Sequence, residues 1–149
     1  MVESGDTENF AKTLRENLEH GKYMNLNQKW RGRTLLHNAV RQRNRDIFQL
    51  LLDNDIQIDM DDDATGATAL HIAASMGYSD FVRSLIKAGA KVSLRTYNSW
   101  RSSQSGVQYG SKNQAACPLT KMDLYSAPPL FFAIRGLHVD VVEVLLDAH

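Results

Sequence analysis

Thr65-Gly66-Ala67-Thr68-Ala69-Leu70-His71-Ile72-Ala73-Ala74-Ser75-Met76-Gly77-Tyr78-Ser79-Asp80-Phe81-Val82-Arg83-Ser84-Leu85-Ile86-Lys87-Ala88-Gly89-Ala90 reads as one folding unit. A Thr-Gly turn leads into a short apolar segment, Ala69 to Ala74, and Met76-Gly77 marks a second turn. Phe81, Val82, Leu85 and Ile86 then fall at i, i+1, i+4 and i+5, which lines four large side chains along one helix face. Gly89 sits just past them, where a helix commonly stops in a left-handed residue that glycine adopts without a Cβ clash. The unit is turn, short helix, tight turn, longer helix, glycine stop.

Thr68-Ala69-Leu70-His71-Ile72-Ala73-Ala74, with Gly77 and Gly89-Ala90 behind it, resembles an ankyrin repeat. That family repeats about 33 residues around T-P-L-H-x-A, and here only the proline is replaced, by Ala69. The unit recurs. Thr34-Leu35-Leu36-His37-Asn38-Ala39 begins a copy 34 residues earlier, followed by Ile47, Phe48, Leu50, Leu51 and Leu52. Pro128-Pro129-Leu130-Phe131-Phe132-Ala133 begins another 60 residues later, followed by Val141, Val142, Val144, Leu145 and Leu146. About 26 extra residues therefore separate the second and third copies. A fixed period means that each unit buries its apolar face against its neighbours, which predicts an all-α solenoid with projecting turns.

The chain divides on this reading into a capping half-repeat (7–29), repeat 1 (30–63), repeat 2 (64–97), an insertion (98–123) and repeat 3 (124–149). In the first part Phe10, Leu14 and Leu18 recur every four residues, with Asp6 or Thr7 as cap and Gly21 as stop. Lys12, Arg15, Glu16 and Glu19 face outward, as a terminal cap requires. An independent amphipathic helix is the alternative. In repeat 1, Arg43 stands where repeat 2 has Gly77. A left-handed arginine costs on the order of 1 kcal/mol, so this turn is expected to be remodelled. In repeat 3, Phe131 replaces the motif histidine, and Ser126 stands where the other copies have Gly32 and Gly66. The last helix ends at His149 without a glycine stop, which predicts marginal stability, self-association through that uncapped helix, and the front part of a longer array.

Charge and composition narrow the function. Lysine plus arginine and aspartate plus glutamate number 17 each among 149 residues, so no net field draws the chain to nucleic acid or anionic membrane. Cys117 is the only cysteine, which excludes an internal disulfide and suits a reducing compartment. The polar, acidic start is unlike a signal peptide, and no apolar run approaches the roughly 18 residues of a membrane span. These features read as an intracellular, cytoplasmic or nuclear protein. Arg31, Arg33, Arg41, Arg43 and Arg45 precede Asp53, Asp55, Asp59, Asp61, Asp62 and Asp63. This pattern is either a basic surface for an acidic or phosphorylated partner, or two solvated faces that neutralise each other along the stack. Mixed sign favours the second.

No reading of the residues yields an enzyme. Asp59, Asp61 and Asp63 mimic half a calcium loop, but Ala64 and Leu70 stand where its glycine and bidentate glutamate belong. Cys117 has no histidine near it in sequence, and no phosphate loop, zinc spacing or nucleophile elbow occurs. His37 and His71 occupy equivalent positions in adjacent units. The resemblance implies a structural role for Thr34 with His37, Thr68 with His71, Gly77 and Gly89. No cofactor, metal or small-molecule substrate is expected.

The resemblance implies protein–protein recognition by the concave surface of short helices and turns. By register that surface includes Trp30, Arg33, Arg41, Ala67, Ser75, Met76, Tyr125 and Arg135. The insertion is rich in Ser, Gln, Gly and Asn and offers Trp100 and Tyr109 as aromatic anchors, and from Arg95 to Lys121 the chain carries four basic residues and no acid. It is either a docking loop or a tolerated expansion. The whole is read as an adaptor, scaffold or inhibitor, or as the targeting domain of a longer ubiquitin ligase, kinase or channel.

Overall fold

In the computed structural model, residues 12–17, 25–54, 56–96 and 127–148 are described. They are helical, with no strand among them beyond two isolated bridges, Trp30 with Arg33 and Asp61 with Thr68. A helical segment, α1 (residues 12–17), is followed by three helix pairs. These are α2 (Leu35–Arg41) with α3 (Arg45–Leu52), α4 (Ala69–Met76) with α5 (Ser79–Lys87), and α6 (Pro129–Arg135) with α7 (Val139–Asp147). Within each pair the helices pack together; along the stack α2 lies on α4, α4 on α6, and α5 on α7. The predicted caps of α1, its Phe10 and Leu18, Glu19 and Gly21 lie outside the described residues. Its Leu14 is fully buried, while Lys12, Arg15 and Glu16 are exposed, as a terminal cap requires.

The same physical devices repeat in each pair. Ala39, Ala73 and Ala133 share one register and are almost completely buried, and the lack of a larger side chain lets the helices approach closely. Their carbonyls accept the N–H groups of Asn44, Tyr78 and His138 at 2.9, 3.0 and 3.0 Å, which closes the turn between the helices. The second helix of each pair then carries an aspartate in its first turn, Asp46, Asp80 or Asp140, where the helix dipole favours a negative charge. Ile47, Phe48 and Leu51, then Phe81, Val82 and Leu85, then Val141 and Leu145 form the buried faces. Phe48 and Phe81 meet edge to face at 4.4 Å, joining the first two repeats.

The turn at Arg43 is not remodelled. Arg43 takes φ +53° and Leu137 takes φ +57°, beside φ +73° at the equivalent Gly77. The carbonyl bond from Ala39 imposes the left-handed residue in every copy, whatever side chain stands there. Arg43 offsets part of the strain by laying its guanidinium 5.1 Å from the centre of the Tyr78 ring. Leu137 has no such compensation and is 85% exposed. Leu137→Gly is therefore expected to raise stability by about 0.5–1 kcal/mol, after the entropy cost of glycine is subtracted. Denaturant unfolding monitored by CD checks this; an unchanged or lower midpoint would mean that the turn is unstrained.

Backbone bonds close three hairpin stems along the stack. Trp30 and Arg33 exchange backbone bonds of 2.8 and 3.2 Å across a two-residue tip, Arg31-Gly32. Asp62 donates its N–H to Ala67 O at 2.9 Å across a four-residue tip. Thr96 donates to Ala127 O at 3.0 Å in the same way. Thr96 Oγ1 also accepts from Ala127 N–H at 3.1 Å, bracing the stem. Beyond this stem α6 docks on α4.

Candidate functional site

Two threonine–histidine pairs hold the short helices in place. His37 Nδ1 accepts from Thr34 N–H at 3.2 Å and from its hydroxyl at 2.7 Å, while Nε2 reaches Ala67 O at 3.0 Å. His71 repeats this with Thr68 at 3.1 and 2.9 Å, and with Ala127 O at 3.2 Å. A backbone N–H can only donate and a carbonyl can only accept, so Nδ1 is bare and Nε2 carries the proton. Each ring therefore caps its own helix and ties it to the first residues of the next repeat, in the neutral form.

Burial disfavours the imidazolium and holds both histidines below 6.5, with the carbonyls of Ala67 and Ala127 pulling the other way. Asp62 is also held below 3.8: burial alone would raise it, but the Thr65 hydroxyl and N–H outweigh that at 2.7 and 2.6 Å. A histidine with a lowered folded-state value takes up protons first in the unfolded chain. Stability is therefore full above about 6.5 and falls as pH drops below it through the folded-state values, with Asp62 adding a second loss below 3.8. Urea midpoints measured from pH 8 to pH 4 are expected to decline from about 6.5 downward; a flat profile across that range would mean that the rings titrate alike in both states.

These contacts engage both ring nitrogens of each histidine. Asp59, Asp61 and Asp63 also diverge. Asp59 accepts from Lys91 N–H at 3.0 Å, whereas Asp61 and Asp63 hold the Lys29 ammonium at 3.0 and 2.7 Å. Among the described residues no group of three His, Cys, Asp or Glu is placed to hold a metal ion, and no helix is long and apolar enough to cross a membrane. A cleft of about 290 Å³ opens between α3 and α5 over Phe48 and Phe81. The Arg45–Asp80 ion pair and Asp46 line it.

The surface expected from register is laid out along the stack. Trp30 projects from the first hairpin, 67% exposed, with the Arg31 guanidinium 4.4 Å from its ring centre. Arg41, Ser75 and Arg135 are exposed at one register on α2, α4 and α6, beside Met76 at 42%. Ala67 is half-buried in the second hairpin stem. Arg33 is less available than its register suggests: its buried Nε lies 3.6 Å from the Oδ2 of buried Asp62. Trp100, Tyr109 and Tyr125 lie outside the described residues.

The fate of the arginine run settles its local meaning. Arg33 faces Asp62, Arg45 pairs with Asp80, and Arg31 and Arg43 stack on aromatic rings. Two of the five arginines are therefore matched by aspartates within the stack, and two more lie over aromatic rings. Sequence reasoning missed His138, which begins α7 at the register of Tyr78. Its Nε2 contacts Ser75 O at 3.1 Å, and its ring lies where a Cβ on Gly77 or Gly136 would stand.

A family model described as ankyrin repeats (3 copies) matches residues 1–96. Protein phosphatase 1 regulatory subunit 12B of Homo sapiens is 50% identical over 36 residues, 24% of this chain and 4% of that protein. Protein phosphatase 1 regulatory subunit 12A of Mus musculus is 35% identical over 48 residues, 32% of this chain and 5% of that protein. The matched stretches thus span about a twentieth of these relatives.

Proposed function

The chain belongs to the ankyrin-repeat family, a family of interaction modules, and on that premise we propose that it is a non-catalytic adaptor, scaffold or inhibitor that binds a protein partner through its short-helix and hairpin face. The observation that carries this reading is the row of exposed Arg41, Ser75, Met76 and Arg135 on helices whose opposite faces are buried, with Trp30 exposed beside it. Rigid helices present these side chains without a backbone ordering cost at binding, and tryptophan and arginine are the residues that most often dominate interfaces. The insertion, with Trp100 and Tyr109, extends the surface from the third hairpin stem. A targeting domain of a longer ubiquitin ligase, kinase or channel remains the alternative role for the same surface, in an intracellular setting.

The names of the two relatives supply a first partner to test, protein phosphatase 1, together with a regulatory role. The matched stretch lies in the repeats, so binding rather than activity is the relevant readout. Calorimetric titration of the purified phosphatase into the intact chain, and into a version with residues 98–123 replaced by a short turn, separates the possibilities. Binding lost with Met76→Glu but kept without the insertion assigns the repeat face. Binding lost with the insertion assigns the loop. Self-association through α7 is supported by Val139 and Leu146, 66% and 54% exposed. Sedimentation velocity on Leu146→Glu tests it, and an unchanged monomer–dimer distribution would remove that contact.

A further inference from the structure

We infer that the short-helix face accepts an acidic, extended peptide segment, with one carboxylate at Arg41, a second at Arg135 and an apolar side chain over Met76. The inference rests on the reading of that face as the partner surface and adds the chemistry of what it takes. Arg41 and Arg135 are exposed, stand at the same register two repeats apart, and face no acid among the described residues. The nearby cations Lys29, Arg33 and Arg45 are already matched by aspartates. Ser75 occupies the middle of the row and turns its hydroxyl back to Ile72 O at 2.9 Å, leaving Met76 as the apolar contact there.

Spacing selects the form of the ligand. Packed helices lie about 8–10 Å apart, so two steps from α2 through α4 to α6 place the arginines about 20 Å apart. An extended chain advances about 3.3–3.6 Å per residue, so two acids about six residues apart reach both. A helical segment of that length is less than half as long, at about 1.5 Å per residue. A nucleic acid strand would instead need cations at each closely spaced phosphate, whereas here two arginines flank an apolar centre and the neighbouring Arg43 is held over the Tyr78 ring.

The test is selection of a random dodecapeptide phage library on the intact chain, with the pool counter-screened on Arg41→Glu/Arg135→Glu and on Met76→Glu, each shown by CD to be folded. The expected winners carry two acids about six residues apart around an apolar residue. Their affinity should fall roughly tenfold on the arginine double variant. Winners that need Met76 but carry no acids would overturn the inference while leaving the face as a binding surface. Winners indifferent to all three positions would overturn both, and an empty selection would overturn the acidic-peptide assignment. A twelve-nucleotide thymidine oligomer that displaces the winners at equal or lower concentration would reassign the row to nucleic acid.

Discussion

Gly77→Ala is expected to destabilise the fold by about 3 kcal/mol. Two separate causes act at this position. Gly77 takes φ +73°, and a Cβ in the left-handed region costs about 1–2 kcal/mol. A Cβ there would also stand 2.5–2.9 Å from ring atoms of His138. The ring cannot simply swing clear, since its Nε2 contacts Ser75 O and its other edge lies against Gly136. The substitution therefore strains one turn and pushes α7 away from α4. In a His138→Ala background the same change should cost only the backbone part, about 1 kcal/mol. Chemical denaturation of the four proteins in the cycle measures this. Equal costs in both backgrounds would show that the ring yields freely.

The comparison of Gly77 with its equivalents explains what could be read in advance. Glycine announces a left-handed residue, so the turn at Gly77 and the stop at Gly89 were legible from residue type alone. Arg43 and Leu137 adopt the same conformation under the pull of the Ala39 and Ala133 carbonyls, and their side chains give no sign of it. Register was the better guide than residue preference.

The candidate surface was less legible than the fold. Period identifies which positions face outward, so Arg41, Ser75 and Arg135 fell into one row. It does not say which exposed charge is already matched. Arg33 meets Asp62 across 29 residues of chain, a pairing that depends on how two hairpins stack. His138 was missed for a related reason. Its register mates are Asn44, whose side chain caps α3 by accepting from Ile47 N–H at 3.0 Å, and Tyr78, which packs on Phe81. Three different residues at one position hide a shared task, that of starting the second helix while reaching toward a neighbour. The only available signal was that none of the three is a small or β-branched residue.

His71→Phe should cost about 3 kcal/mol, and most of that loss should return when Thr68→Pro is added. The logic lies in the third repeat, where the pair is Pro128 and Phe131. In the second repeat the histidine Nδ1 satisfies a buried N–H and a buried hydroxyl of Thr68. Phenylalanine removes the acceptor and leaves both donors dry, at about 1–3 kcal/mol for each unsatisfied group. Proline removes the donors as well, having neither N–H nor hydroxyl, and Thr68 already has φ −83°, near the value of −75° at Pro128. The ring contact to Phe132, 5.8 Å between centres, survives with either aromatic side chain. What the double variant cannot recover is the bond from Nε2 to Ala127 O, and that carbonyl keeps the Thr96 N–H at 3.0 Å. The double variant should therefore lie within about 1 kcal/mol of the parent, a recovery of about 2 kcal/mol relative to His71→Phe alone. The third repeat would then be read as a matched exchange of a polar pair for an apolar one, in which neither substitution is tolerated without the other. Additive losses in urea unfolding would refute this and place the stabilisation in the tie to Ala127 instead.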